Sequence, residues 1–471
     1  MSDAEETTSG NLRVGVVGGG LAGLAAAVAL TRRGVTVELF EARRMLGGRA
    51  GSFCDPQSGE LVDHCQHVAM GCCTNLDDFC QTTGAADCFE RRRRVEFIGL
   101  NGRRCALAAH PLLPAPLHLA PSLLGLSYLS LRDRWQTVRI LGRLACGPRG
   151  ARDELAFGDW LDRQKVTAEA RQRFWSVVIV SALSETLERV SVGAARQVFV
   201  DGFLAARRAY ELRVPRVPLG EIYDRRVAQW LGERGAIVHT ATRIRRLDGT
   251  ADRISGMVMP DGSRRAFNYY VLAVPWRIAP TLLDEGVRWR LPMLDGAARL
   301  EAASITSVHV WVDRPIEGAR DAALVGRLGQ WVFDRGPAAG GYHYQVVISA
   351  SHALVGGDRE AVFRQVWKEL VEVWPEAERS RPIRWRVLEY PEAVFSPRPG
   401  IDQLRPDQRT LIGNLALAGD WTATGWPATM EGAVRSGYLA AEAVLAAIGD
   451  PRLVLVADLP RGWLARRLFR A

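Results

Sequence analysis

Three separated groups of residues in this chain have types and spacings that can do chemistry. The first is Gly18-x-Gly20-x-x-Gly23, followed by Glu41. Gly18 permits a tight turn, Gly20 has no side chain to block a pyrophosphate, and Gly23 lets a helix pack closely on a strand. A helix that starts there turns free N–H groups and a positive dipole end toward phosphates. The Glu41 carboxylate is placed to accept from ribose hydroxyls. Alone, this pattern says dinucleotide and leaves nicotinamide and flavin open. The second group is Arg44-x-x-Gly47-Gly48-Arg49, a further glycine turn whose arginines suit the far side of a pyrophosphate. A nicotinamide dehydrogenase has no need of it. The third is Gly419-Asp420-Trp421, with a helix opening near Thr429 and Met430. The Asp420 carboxylate suits a ribityl hydroxyl. The helix N-terminus faces the N1/C2=O edge of a flavin and favours its anionic reduced form. Arg49 and Asp420 therefore narrow the cofactor to FAD.

These groups need elements to hold them. Leu12 to Val17 is a short β-branched run, Leu24 to Leu30 repeats apolar residues at helical spacing, and Val35 to Phe40 reads as a second strand. That is a β-α-β unit. Val238, on a middle strand read over Ala236 to Arg246, either places backbone against adenine or is an ordinary core valine. Further strands are expected at Ile254 to Met259, Ala266 to Val274, Ser304 to Asp313, Tyr342 to Ser349 and Leu415 to Ala418. Helices are expected at Glu221 to Gly235, Arg359 to Val373 and Met430 to Ile448. Between about Thr74 and Leu219 the patterns are mostly helical, with proline-rich breaks.

The fold class is α/β: a discontinuous, Rossmann-like FAD-binding domain of the glutathione-reductase/amine oxidase type, with an inserted substrate domain of mixed sheet and helices. Residues 11–75, 220–280 and 405–450 belong to the first domain, and residues 76–219 and 281–404 to the second. Residues 451–471 form a C-terminal tail that mixes apolar residues with arginine, suited to a membrane interface.

Composition narrows the function. The net charge of +9 comes almost wholly from arginine, since Lys165 and Lys368 are the only lysines. The arginines are scattered, which argues against nucleic acid and leaves either a coding bias or attraction to an anionic membrane surface. The N-terminal MSDAEETTSG lacks the basic start and apolar core of a secretory signal. A cytoplasmic protein, at most peripheral on the inner face of the cell membrane, is expected. All eight cysteines fall between Cys54 and Cys146, with no Cys-x-x-Cys pair, so no metal site is expected.

Together the pieces resemble the flavin amine oxidase and phytoene desaturase superfamily over nearly the whole chain, and within it the hydroxysqualene dehydroxylases, also described as squalene-associated FAD-dependent desaturases. The resemblance is carried by VVGGGLAGLAAAVALTRRGVTVELFEARRMLGGRAGSF (Val16 to Phe53), VDHCQHVAMGCCTNL (Val62 to Leu76), VLAVPW (Val271 to Trp276) and LAGDWTATGWPATMEGAVRSGYLAAEAV (Leu417 to Val444). The family more often has Asp-Asn-Gly-Gln-His where this chain has Asp63-His-Cys-Gln-His67. The resemblance implies reduction of an allylic alcohol in squalene and hopanoid formation. Hydroxysqualene loses its hydroxyl as water and gains hydride from reduced FAD.

That chemistry needs an acid for the leaving hydroxide and a dry pocket with electron-rich walls. His67, His64 and Asp63 are the candidate acids, because their loop is expected beside the isoalloxazine; Asp63 and His67 otherwise hydrogen-bond the loop. Trp421, Trp426, Cys65 and Cys72 are candidates for the pocket wall or for plain packing. The apolar triterpenoid must come from the bilayer. Pro111 to Leu131 and the tail near Trp463 are candidate contacts, or else domain-packing surfaces. No second dinucleotide fingerprint is visible, so the electrons must come from an external reductant or reductase. The flavin groups serve either direction of hydride transfer, so a carotenoid-type desaturase stays open. A flavin amine oxidase and a non-catalytic lipid carrier of the GDP-dissociation-inhibitor type are the remaining alternatives.

Overall fold

The computed structural model describes residues 12–147 and 154–469. The acidic N-terminal segment, residue 11 at the start of the first expected domain stretch, and the last two residues of the tail lie outside them.

Short apolar strands assemble a five-stranded, all-parallel sheet in the order Ile237–His239, Thr36–Phe40, Arg13–Val17, Tyr269–Leu272 and Leu415–Leu417. Buried on both faces, such strands are apolar runs rather than alternating ones. The helix Leu21–Thr31 is buried along its whole length. It lies between this sheet and the helix Met430–Ala447. Small residues let the two helices meet: a Cβ on Gly437 would stand 2.2 Å from the Ala22 carbonyl oxygen. Sequence-distant stretches thus share one core.

A second sheet has seven strands. Its order is Pro382–Phe395, Ala302–Val312, Gly341–Ser349, Trp331–Ala338, Ala322–Leu324, Val95–Ile98 and Arg104–Leu107. The pairs are antiparallel except for Ala322–Leu324 against Val95–Ile98, which is parallel. That pair joins the two expected insertions into one sheet.

Several sequence expectations change. The stretch from Thr74 to Leu219 is not only helical: it holds strands at Phe89–Arg92, Val95–Ile98, Arg104–Leu107 and Leu212–Pro215. The middle strand is confined to Ile237–His239. The first helix starts at Leu21, three residues before the apolar repeat suggested. The helix near Glu221 has a wide, π-type first part, Glu221–Val227. Among the described residues no helix is long and apolar enough to cross a membrane.

Candidate functional site

At the end of the strand Arg13–Val17, Gly18 takes φ +106°, a conformation that a side chain disfavours. Its N–H donates to the Phe40 carbonyl at 2.8 Å. A Cβ on Gly18 would lie 2.3 Å from the Ala273 carbonyl oxygen, and one on Gly23 would lie 1.9 Å from the Gly18 carbonyl oxygen. Both positions are closed to side chains by backbone. Gly20 differs: a Cβ there would meet nothing nearer than the Gly48 Cα at 4.0 Å. That open side lies at the N-terminus of Leu21–Thr31, where no side chain caps the free N–H groups. A pyrophosphate fits such a cradle, because unsatisfied helix N–H groups and the positive dipole end both favour an anion.

The Glu41 carboxylate locks the turn from behind. It accepts from Gly19 N at 2.7 Å and from Arg43 N at 2.8 Å. A carboxylate has about four acceptor sites, so room remains for a ribose hydroxyl. Val238 lies half-buried on the neighbouring strand, opposite Leu39. The second glycine turn packs on the first, with Gly47 N donating to Gly19 O at 2.8 Å. Gly48 sits at φ +59° facing Gly20. Arg44 is exposed on this loop. Arg49 spans the site: it pairs with Asp420 at 2.5 Å and donates to the Ala393 carbonyl at 2.9 Å. Asp420 is buried.

Gly419, at φ +146°, leaves the strand Leu415–Leu417 and donates to Ser436 Oγ at 2.8 Å. The next loop is gathered by a residue that sequence reasoning missed, the buried Arg405. It donates to the Asp420, Thr422 and Trp426 carbonyls at 3.0, 2.6 and 2.8 Å. Thr429 then caps the helix Met430–Ala447 through Gly432 N at 3.0 Å. Trp421 takes the packing alternative. It is fully buried in the core of the parallel sheet, donates to the Val274 carbonyl at 3.0 Å, and does not line the cavity. The turn at Gly419 folds the indole beneath the glycine, where a Cβ would stand 2.2 Å from its ring nitrogen.

The 63–67 segment forms a second layer. Asp63 is buried; it accepts from Ser52 Oγ at 2.6 Å and Leu219 N at 2.7 Å, and pairs with Arg335 at 3.0 Å. Burial pushes its carboxyl up, against the pull of Arg335. His64 stacks on Phe53 and meets the Tyr390 hydroxyl at 3.0 Å; burial, then Arg43, pushes it down to about 4. His67 donates from Nδ1 to the Cys65 carbonyl at 2.9 Å, and burial also lowers its pKa. Cys65 does not line the cavity. It packs with Phe333 and Val347, which do, and burial pushes its thiol up to about 12.

Between the layers lies an apolar cavity of about 250 Å³. Its walls include Val68, Phe97, Val178, Trp331, Phe333 and Trp426. Gln66, Cys72, Thr429 and Met430 border it as well, so the helix end expected at the flavin edge opens directly into it. Trp331 and Phe333 stack at 5.5 Å, and the Trp331 ring nitrogen donates to Ser181 Oγ at 2.9 Å. Sequence reasoning missed Trp331, Phe333 and Arg335 because they come from the long-range sheet. It also missed Glu431, although the quoted Met-Glu-Gly run contained it. The eight cysteines are free thiols, and among the described residues no cluster could hold a metal ion.

A family model described as flavin containing amine oxidoreductase matches residues 21–445. The chain belongs to that family. This flavin amine oxidoreductase is an FAD-dependent enzyme of mixed α/β fold. Hydroxysqualene dehydroxylase of Rhodopseudomonas palustris is 29% identical over 445 residues, covering 92% of this chain and 98% of that one. Zeta-carotene desaturase of Synechocystis is 25% identical, covering 92% and 97%. The solved structure of cyclohexylamine oxidase from Brevibacterium oxydans matches with a TM-score of 0.68 at 19% identity, covering 93% of this chain and 100% of that one. That last likeness is one of fold.

Proposed function

We propose that this flavin amine oxidoreductase replaces the hydroxyl of hydroxysqualene with hydrogen, forming squalene and water. The observation that carries the reading is the apolar cavity that meets the helix end at Thr429 and Met430. Two relatives named for apolar isoprenoid chemistry support it. Bound and reduced FAD supplies the hydride. Gly18, Gly20, Gly23 and Glu41 would hold its dinucleotide end and Val238 its adenine, with Arg44, Gly48 and Arg49 for the pyrophosphate. Gly419 and Asp420 would hold the ribityl chain, and Thr429 and Met430 the flavin ring.

The chain's own residues then do four things. Apolar walls keep water from a developing allylic cation. Trp331, Phe333 and Trp426 supply aromatic rings to the wall around it, and ring faces attract positive charge. His67 is the proton donor: with Nδ1–H fixed on Cys65 O, its Nε2 carries the proton that leaves with the hydroxide. It lies between Gln66 and Val68, both on the cavity wall. Asp63 and His64 position this loop, since Asp63 is bonded to Ser52, Leu219 and Arg335, and His64 to Tyr390.

The substrate enters from a membrane. The two apolar stretches singled out in the sequence meet: a Cβ on Gly462 would stand 3.2 Å from the Ala115 Cβ. Leu112, 85% exposed, and Trp463, 55% exposed, stand on this surface. Arg466 and Arg467 follow on the helix Trp463–Leu468. Apolar side chains beside arginines suit the inner, anionic face of the cell membrane. An external reductant reloads the flavin.

The test is anaerobic incubation of the reduced holoenzyme with hydroxysqualene. Squalene is the expected product, and its absence refutes the reading. A desaturase running hydride the other way is favoured by the zeta-carotene desaturase relatives; oxidised enzyme with phytoene distinguishes it. An amine oxidase reading is not favoured, since neither Lys165 nor Lys368 is on the cavity wall.

A further inference from the structure

The cavity has a small neighbour. A second apolar chamber of about 30 Å³ lies beside it, walled by Leu119, Leu123, Leu126, Phe174 and Phe199 among others. Three residues line both chambers: Phe97, Val178 and Phe203. They come from the strand Val95–Ile98, the helix Val177–Leu183 and the π-type segment Gln197–Leu204. Side chains from three elements therefore form one partition.

The proposed substrate makes the partition matter. Hydroxysqualene carries its hydroxyl near the middle of a thirty-carbon chain, so two long hydrocarbon arms leave the reacting carbon. A cavity of about 250 Å³ lies below the ~300–1,000 Å³ that smaller, drug-sized ligands occupy. When the reacting carbon faces Thr429 and Met430, the main cavity has space for one arm. The second needs another apolar path, and the neighbouring chamber is lined by leucine and aromatic side chains.

We propose that Phe97, Val178 and Phe203 form a gate, and that one arm of the substrate passes between them into the chamber under Leu119–Leu126. This rests on the dehydroxylase reading for the identity of the ligand. Two observations support a partition that opens. Val178 and Phe203 are only half-buried, whereas Phe199 and Leu119 behind them are buried. Phe203 lies on a π-type turn, a widening of the helix that recurs at functional sites. The chamber as it stands holds about the volume of one water, so it must dilate, and swinging the Phe203 ring would join the two spaces. The far wall, Leu119 to Leu126, belongs to the segment whose outer side exposes Leu112 and Leu117. The gated path thus points toward the surface proposed to meet the membrane.

The gate also predicts discrimination by chain length. The experiment titrates oxidised, flavin-loaded wild type and Val178→Trp with squalene and with a fifteen-carbon isoprenoid alcohol, reading the flavin difference spectrum. Val178→Trp is expected to weaken squalene about tenfold or more, and at least about fivefold more than it weakens the short compound. Phe203→Trp fills the partition from another wall and is expected to act alike; it serves if Val178→Trp cannot hold flavin. Parallel changes for both ligands, unchanged squalene affinity in a flavin-loaded variant, or no squalene binding by wild type would each overturn the gate. A wild type that binds squalene and responds to Val178→Trp as expected, yet makes no squalene from hydroxysqualene, refutes the proposed reaction and leaves the gate standing.

Discussion

Replacing Glu431 separates two roles that a buried acid beside a cavity could have. Glu431 sits in the first turn of Met430–Ala447, fully buried, and borders the cavity. Its carboxylate accepts from Asn75 N at 3.2 Å, Asn75 Nδ2 at 2.9 Å and Leu76 N at 2.8 Å. The two backbone donors, Asn75 N and Leu76 N, lie in the first turn of the helix Thr74–Thr82, whose own N-cap, Cys73, makes no capping bond. Glu431 is therefore the missing cap, delivered from a distant helix. Burial pushes its carboxyl up, while the bonds from Leu76 and Asn75 pull it down. Glu431→Ala orphans these donors at about 1–3 kcal/mol each. Partial hydration from the cavity reduces the sum to about 3–5 kcal/mol. An unfolding entropy of about 2.1 cal/mol/K per residue gives about 1 kcal/mol/K for 471 residues. Melting of the holoenzyme as one unit is then expected to fall by about 3–5 °C. Glu431→Gln keeps one acceptor oxygen and is expected to lose about half of that. Calorimetry measures the shift, and turnover per bound flavin is expected to stay within about threefold. A hundredfold loss of turnover in Glu431→Gln with unchanged melting would refute the cap and make Glu431 the proton donor.

Other outcomes follow from the same geometry. If His67 donates the proton, the single-turnover rate rises as pH falls below about 6.5, because burial lowers its pKa and leaves it largely neutral above that. His67→Ala is expected to cost about 10²-fold or more, and a flat pH profile would exclude it. Arg335→Leu leaves Asp63 buried without its cation. About 3–5 kcal/mol of stability is expected to go, with partial recovery in the double variant Asp63→Asn/Arg335→Leu. Gly23→Val drives a side chain into the Gly18 carbonyl, and a protein purified without bound flavin is the expected result. His118 and His309 are pushed down by burial to about 4 and about 3. Folded, they stay neutral; unfolded, they take up protons below about 6.5. Stability is therefore present above about 6.5 and lost as pH falls toward the folded values. A melting temperature unchanged between pH 7 and 5 would contradict this.

Much of the flavin half was legible because its signals are local. Glycine spacing, a short apolar strand and helical periodicity all fall within Leu12 to Glu41 and again within Leu415 to Ala447. The seven-stranded sheet was only partly legible. The strand Trp331–Ala338 contains Asp334, Gly336 and Pro337, residue types that strands disfavour. The strand Pro382–Phe395 carries Arg384 and Arg386, which pair with the buried Asp55. A charge paired across the fold breaks the apolar alternation that marks a strand. The strands inside the helix-like stretch before Leu219 are too short to show a period. At the site, motif residues could be named in advance, whereas Trp331, Phe333, Arg335 and Arg405 arrive through pairings no local window contains. Trp421 lay in a motif, but only the backbone turn at Gly419 determines that its ring points into the core.

The parallel pair between Val95–Ile98 and Ala322–Leu324 also sets an order of events during synthesis. A ribosome delivers the first strand more than two hundred residues ahead of its partner. The innermost parallel strand, Arg13–Val17, likewise waits for Tyr269–Leu272. Until then the nascent chain presents unpaired strand edges and apolar faces, the species that chaperones hold. Neither sheet is complete until its late strand has been made. In a chain halted near residue 260, Arg13–Val17 and Val95–Ile98 are expected to exchange amide hydrogens faster than in the full chain, and equal protection would contradict this order.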